Sequence, residues 1–309
     1  MTAAQTISFV IPVYRNERAV TLTYQKIIGA LAADLPGYAY EFVFVDDGSD
    51  DGSLEELLRL KAQDPRVRII SFTRNFGQMA AILAGLKGAT GDLVLHLSAD
   101  LQDPVELIPR MVRDYEAGSE LVIGHRAERE DRWTSRVTSR VFYGIIRLSF
   151  PQLPAGGFDY VLMARRVVDS FNSIEVRNRF FQGDLLWMGY KTTFIPYTRA
   201  KRTIGRSQYT FAKRLKNSLD AILDSSYLPI RFISGAGALV AMIGFLYAVD
   251  IAYWRFTHDV PFPGQAPIMI LLLGIGGVLM LMLGIIGEYV WRIYDEVKKK
   301  PNYVVRATY

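Results

Sequence analysis

Residues 43–49 read Val-Phe-Val-Asp-Asp-Gly-Ser, an apolar run that ends in two adjacent carboxylates and a glycine. Further on, residues 98–103 read Ser-Ala-Asp-Leu-Gln-Asp, again directly after an apolar run. Both read as strands that end in carboxylates. Open α/β sheets bind ligands in the crevice beyond the carboxyl ends of their strands. Strand ends that are acidic rather than glycine-rich suit a metal–nucleotide site and not a dinucleotide-binding fold.

The rest of the first half fits such a sheet. Residues 7–13, 40–45, 67–72, 92–97 and 121–124 are apolar and read as strands. Between them, residues 19–33, 50–62, 77–87 and 104–116 read as helices, the second capped by the Ser49-Asp50-Asp51 cluster. This alternation predicts an α/β domain with a parallel, right-handed, doubly wound sheet. After Arg126 the regularity fades. Residues 133–148 read as a helix with Arg132, Arg136 and Arg140 on one face, since residues four apart are neighbours. Residues 156–159 read as a turn, 179–187 as a helix and 192–196 as a strand.

Half of the 309 residues are hydrophobic, and the excess lies towards the C-terminus. Residues 232–249 and 260–287 contain no charged side chain. About 20 apolar residues suffice for a helix to cross a bilayer core, so two membrane spans are expected. Arg231 precedes the first run, and Arg292, Lys298, Lys299 and Lys300 follow the second. The segment between the runs carries one arginine and two aspartates. By the positive-inside rule both chain ends are cytoplasmic. The first residues lack a basic region followed by an apolar one, so no signal peptide is expected and the first 200 residues stay on the cytoplasmic side. There is no cysteine, which excludes disulfides and thiolate metal sites.

The net charge of +5 is modest, but residues 199–216 hold seven Lys/Arg and no acid. Directly before a span, such a segment reads as attracted to anionic lipid headgroups. Residues 209–223 place Phe211, Leu215, Leu219 and Ile222 on one side, as in a helix lying in the interface plane. The apolar runs set nucleic-acid binding aside. The expected organisation is a cytoplasmic domain over residues 1–205, an amphipathic interface region over 206–229, two spans with a short loop over 230–295, and a cytoplasmic tail over 296–309.

Adjacent buried carboxylates such as Asp46 and Asp47 are costly unless hydrogen-bonded, paired or metal-bound. One of the two reads equally as a cap for the next helix. Capping explains Asp100 less well, because no helix starts directly after it. Carboxylates with a diphosphate suit Mg²⁺ or Mn²⁺, hard cations that take oxygen ligands.

Taken in order, the motifs are specific. Val10-Ile11-Pro12-Val13-Tyr14-Arg15-Asn16-Glu17, Val45-Asp46-Asp47-Gly48-Ser49, Arg74-Asn75-Phe76-Gly77-Gln78 and Ser98-Ala99-Asp100-Leu101-Gln102-Asp103-Pro104 resemble the family 2 inverting glycosyltransferases with a GT-A fold. Asp159 in Gly-Phe-Asp-Tyr, Arg202-Thr203-Ile204-Gly205-Arg206-Ser207, and Gly287-Glu288-Tyr289 followed by Arg292-Ile293-Tyr294 narrow the resemblance. It is to the polyprenyl-phosphate glycosyltransferases with two C-terminal transmembrane helices, relatives of dolichyl-phosphate mannose synthase.

That resemblance implies transfer of a sugar from a nucleotide-diphosphate sugar, with UDP favoured, to polyprenyl (undecaprenyl) phosphate. The reaction would invert the anomeric centre at the cytoplasmic face of a bacterial inner membrane. It implies that Pro12, Tyr14, Glu17, Asp46 and Asp47 surround the nucleotide and that Arg202 contacts its diphosphate. Asp100, assisted by Gln102, would hold Mg²⁺ or Mn²⁺. Arg126, Arg136 and Arg140 would take the acceptor phosphate, and Asp159 would orient the sugar or acceptor or act as a base. Relatives suggest a homo-oligomer.

Three departures from the family pattern stand out. Ser98 replaces the first carboxylate of the usual Asp-x-Asp, Gln208 replaces the usual lysine after Gly-x-Ser, and Asp159 has altered neighbours. His96 lies two residues before Ser98 on the same strand face and reads as a packed or hydrogen-bonded histidine. Two other readings compete. Ser98 favours a non-catalytic, glycosyltransferase-like membrane subunit. A processive polysaccharide synthase should carry Gln-x-x-Arg-Trp, and the chain has none.

Overall fold

The computed structural model describes residues 5–100, 102–126, 144, 147, 150–154, 157–176, 179–198, 228–258 and 265–309. The chain forms two compact units, Met1–Ser225 with Pro301–Tyr309, and Ser226–Lys300. The expected helices over residues 133–148 and 209–223 lie outside the described residues, apart from Gly144 and Arg147.

The first unit is built on an eight-stranded sheet in the order β7-β5-β6-β4-β1-β2-β3-β8. Its strands are β1 (Thr6–Val13), β2 (Ala39–Asp46), β3 (Val67–Phe72), β4 (Leu93–His96), β5 (Leu121–Arg126), β6 (Tyr160–Ala164), β7 (Thr192–Tyr197) and β8 (Val305–Thr308). β1 pairs in parallel with β2 and β4, β2 with β3, and β5 with β7. The sheet is not purely parallel, as the alternation alone suggested. β6 runs antiparallel between β4 and β5, and β8 runs antiparallel along β3. The reversal at β6 brings its N-terminal end to the same sheet edge as the carboxyl ends of β4 and β5.

Side-chain alternation divides the core. Ile7, Phe9, Ile11, Val13, Phe42 and Phe44 face α1 (Ala19–Asp34), α2 (Ser53–Gln63) and α4 (Ile108–Glu116). Val10, Val43, Val45 and Val94 face α3 (Gln78–Gly88), α5 (Arg165–Ser173) and α6 (Phe181–Trp187). Strands apolar on both faces are expected where helices cover both. On α3 a methyl at Gly85 would lie 2.3 Å from Val10 Cγ1, so this helix needs glycine to sit as close to the sheet as it does.

Several boundaries differ from the sequence reading. α2 starts at Ser53 rather than residue 50, and its N-cap is Gly52. Asp50 instead pairs with Arg15, while Asp51 Oδ1 accepts the Ser53 amide at 3.1 Å. The expected helix over 104–116 opens with a 3₁₀ turn, Val105–Leu107, before α4. The helix expected from residue 179 begins at Phe181. β6 and α5 fall where sequence periodicity fades. β8 falls within the residues read as a tail.

There the chain returns to the sheet after the second unit. Ile69 and Tyr309 exchange both backbone hydrogen bonds, at 3.1 and 2.9 Å, and Tyr303 stacks on Phe72 at 4.9 Å. β8 thereby covers an edge that would otherwise present unpaired amides and carbonyls.

The second unit holds two long helices, α7 (Leu228–His258) and α8 (Gln265–Val297). Among the described residues one segment is long and apolar enough to cross a membrane, Gly274–Val297 in α8, with mean hydropathy 1.6 and none of it buried. The first expected span falls within α7, which does not meet that measure among its described residues.

Candidate active site

The carboxyl ends of β1, β2, β4, β5 and β7 and the start of β6 share one edge of the sheet, and most of the expected site residues gather there. Pro12 sits in β1 opposite Val45, beyond the last β1–β4 pair, Val10 with His96. The neighbouring strand no longer needs an amide there, so proline is tolerated inside a central strand. The chain then turns through Tyr14, whose amide donates to Asn16 Oδ1 at 3.1 Å, and through Arg15 and Arg18, both at positive φ. Glu17 follows, its amide 3.4 Å from Asp51 Oδ2. From α2, Glu56 reaches across and accepts the amides of Arg18 and Thr21 at 2.7 and 3.0 Å, capping α1.

Asp46 and Asp47 are both buried, and each carboxylate is satisfied by the surrounding chain. Asp46 accepts the Ser49 amide at 3.0 Å and the Ser71 hydroxyl at 2.9 Å. Asp47 accepts the amides of Phe76 and Gly77 at 2.6 and 2.9 Å. Burial pushes the Asp47 carboxyl up to about 6, against the pull of those two amides. Gly48 makes this turn possible. It sits at φ +64°, and a methyl there would lie 2.4 Å from the Arg74 carbonyl carbon. Asp47 therefore ties the end of β2 to the entry of α3.

After β4, Asp100 is buried and its Oδ1 accepts the Gln102 amide at 3.2 Å, closing an Asx-type turn. Thr23 on α1 donates to the Ala99 carbonyl at 3.1 Å and fixes the same turn from below. Among the described residues no three His, Cys, Asp or Glu side chains form a ready-made metal cage. The side chains at and beside Asp100 in sequence offer hard oxygens: its carboxylate, the Ser98 hydroxyl and the Gln102 amide. Such a set fits Mg²⁺ or Mn²⁺ coordinated mainly by substrate phosphates and water with one or two protein oxygens.

Opposite this turn, Arg126 at the end of β5 lies 3.4 Å from Asp159, which precedes β6. Burial works against the Arg126 cation, yet Asp159, Tyr197 and Asp103 around it hold its pKa above the usual arginine value. His96 is packed, as read from sequence. Its Nδ1 lies 3.3 Å from the Val10 carbonyl, its ring meets Phe181 edge-on, and burial lowers its pKa. Arg136, Arg140 and Arg202 lie outside the described residues.

Sequence reasoning assigned nothing to Ser71, Glu56, Asp103 or Tyr197, which hold this edge together. Ser71 and Glu56 act on residues more than 20 positions away, so spacing carries no trace of them. Asp103 was visible as a carboxylate just before Pro104.

The family model for glycosyl transferase family 2 matches residues 8–203, which span all these residues. The chain belongs to that family. Likeness to individual relatives extends beyond that segment, over nearly the whole chain. An uncharacterized glycosyltransferase of Bacillus subtilis (strain 168), YkcC, is 37% identical over 98% of this chain and 94% of its own length. The SfII prophage-derived bactoprenol glucosyl transferase of Shigella flexneri is 35% identical over 98% of each chain. Among solved structures, glucosyl-3-phosphoglycerate synthase from Mycobacterium tuberculosis, in complex with Mn²⁺, UDP and phosphoglyceric acid, matches with a TM-score of 0.51. That match covers 71% of this chain and 77% of that one at 18% identity, and it supports the α/β, mostly parallel GT-A-like sheet.

Proposed function

We propose that this family 2 glycosyltransferase moves a sugar from a nucleotide-diphosphate sugar, with UDP favoured, to polyprenyl phosphate. The observation that carries this reading is the 35% identity to a bactoprenol glucosyl transferase along 98% of both chains. The arrangement of the site supports it. Tyr14, Glu17, Asp46 and Asp100, the residues of the proposed donor side, follow or end strands whose carboxyl ends lie at the same end of the sheet as Arg126 and Asp159, the proposed acceptor side.

A phosphate monoester has a second pKa near 6, so the acceptor oxygen is mostly ionised at neutral pH and needs little help from a base. In the proposed step that oxygen attacks the anomeric carbon and forms the new C–O bond. The bond from that carbon to the diphosphate breaks with inversion, and the nucleoside diphosphate leaves. The protein's work is positioning and charge stabilisation. Asp46, steadied by Ser71, and Tyr14 and Glu17 line the base and ribose, while Asp47 shapes the wall at Phe76 and Gly77. Arg126 presents its planar fork to the acceptor phosphate, joined by Arg136 and Arg140, and Arg202 meets the donor diphosphate. Asp159 orients Arg126 and the incoming acceptor. Asp100, with Gln102, would hold Mg²⁺ or Mn²⁺. When bound, that ion would neutralise charge on the leaving diphosphate.

The polyprenyl tail gives the apolar C-terminal unit its reason. In this reading α7 and α8 both cross a bacterial inner membrane, with the sheet domain and both chain ends cytoplasmic. The basic segment 199–216 and the amphipathic segment 209–223 rest on its surface.

The test is a transfer assay on detergent-purified protein with undecaprenyl phosphate and a panel of labelled nucleotide sugars. Label from one donor should enter the lipid phase and be lost with EDTA and with Asp100→Ala. No transfer from any donor, beside an active relative in the same assay, contradicts the proposal and favours the non-catalytic subunit.

A further inference from the structure

The carboxylate of Asp103 joins two halves of the site that the motifs treat as separate. It is 5% exposed. Its Oδ2 accepts the amide of Ser98 at 3.0 Å, which closes the turn carrying Asp100. Its Oδ1 accepts the hydroxyl of Tyr197 at 2.9 Å, at the end of β7. Tyr197 pairs in register with Arg126 on β5. The Tyr197 ring meets Tyr160 edge-on at 6.0 Å, and the Tyr160 hydroxyl returns to the Pro104 carbonyl at 3.2 Å. Tyr160 directly follows Asp159, which faces Arg126.

A closed circuit therefore runs from the Asp100 turn through Asp103 and Tyr197 to Arg126 and Asp159, and back through Tyr160 to Pro104. We propose that Asp103 is a positioning residue that locks the donor-side turn bearing Asp100 to the acceptor-side pair Arg126–Asp159. This rests on the reading of that edge as the transfer site.

The chemistry favours a carboxylate here over a neutral cap. Among the described contacts, an amide and a hydroxyl donate to different oxygens of this side chain. A carboxylate accepts both, whereas an asparagine must turn its own NH₂ towards one of them. A buried negative charge also needs a cation nearby, and Arg126 lies on the strand paired with Tyr197. Asp103 itself touches neither transferred atom. It acts through Ser98 on one side and Tyr197 on the other. Displacements near 1 Å at reacting groups cost about 100-fold in rate, so a lock of this kind has a measurable consequence.

The experiment compares full-length wild type, Asp103→Asn, Tyr197→Phe and the double variant in detergent. It reads Mn²⁺-dependent UDP binding by titration calorimetry, initial rates with donor and acceptor varied separately, and Tm. Asp103→Asn should bind Mn²⁺–UDP about tenfold more weakly and lose about 100-fold in kcat. The double variant should be no worse than Asp103→Asn alone, because both changes break one connection.

A protein that is merely less folded loses kcat with its folded fraction but keeps its KM values and UDP affinity, and that result overturns the inference. So do wild-type binding and kcat in Asp103→Asn, or losses that multiply in the double variant. Should Asp103→Asn fail to fold, Tyr197→Phe decides: unchanged UDP affinity and kcat overturn the inference, and a joint loss supports it. A wild type inactive with every donor contradicts the transfer reaction, while the UDP-binding comparison still decides the role of Asp103.

Discussion

Arg126 Nη2 lies 3.4 Å from Asp159 Oδ2, each residue reaching the same sheet edge from one of two adjacent antiparallel strands. In the proposed reaction, the Arg126 cation takes the acceptor phosphate and the Asp159 carboxylate keeps it aimed. Arg126→Lys keeps the charge and loses the planar fork, so acceptor KM should rise about tenfold while donor KM stays level. Asp159→Asn should lower kcat/KM for the acceptor about tenfold, by loss of orientation. Steady-state kinetics with each substrate varied would measure both, and a change under about threefold in Asp159→Asn contradicts the role given to it.

Asp47 carries a pH signature. Its folded pKa is raised by burial to about 6, so the folded protein holds this proton more tightly than the unfolded chain does. The stabilising term is fully present below pH 4, and it is lost as pH rises through 6. A shift of about two units corresponds to about 3 kcal/mol. Asp47→Asn cannot titrate. The stability advantage of wild type over this variant should therefore shrink between pH 4 and 7 by up to about 3 kcal/mol, or several degrees in Tm. A pH-independent difference in thermal unfolding would contradict the burial argument.

Gly48→Ala tests the turn between the two strand ends. Alanine at φ +64° is strained, and its methyl would meet the Arg74 backbone rather than a movable side chain. Together these should destabilise the protein by about 3 kcal/mol and weaken UDP binding, because the entry of α3 must shift. Unfolding and UDP titration of the variant check both effects.

Ser71→Ala removes one hydrogen bond to the buried Asp46 carboxylate. The loss should cost about 1–3 kcal/mol of stability. Donor KM should rise as well, since Asp46 is left with the Ser49 amide as its described partner on that turn. An unchanged donor KM with lowered stability would remove Asp46 from the nucleotide site.

What the sequence showed follows from how far each signal reaches. β1 to β4 and α1 to α4 were legible because their apolar runs are buried on both faces and alternate regularly with helices. Asp46, Asp47 and Asp100 were legible as carboxylates that follow apolar runs, whereas Arg126 and Asp159 entered through the family resemblance. β6 was not, since residues 160–164 follow a glycine turn and give no sign of direction. β8 was hidden because its partner, β3, lies more than 200 residues earlier. The contacts of Ser71 and Glu56, and that of Asp103 with Tyr197, are set by tertiary neighbours, which no local pattern encodes. The helix start misread at residue 50 has a specific cause: Arg15 takes Asp50 away from the cap.

In the proposed reaction the acceptor is a lipid phosphate. The most direct measurement counts labelled sugar entering the organic phase with undecaprenyl phosphate present and absent, at saturating donor and Mn²⁺. Label should enter the organic phase only when the lipid phosphate is present, with one molecule of nucleoside diphosphate released per sugar transferred. Nucleoside diphosphate released at the same rate without the lipid, or label transferred to a water-soluble acceptor instead, would contradict it.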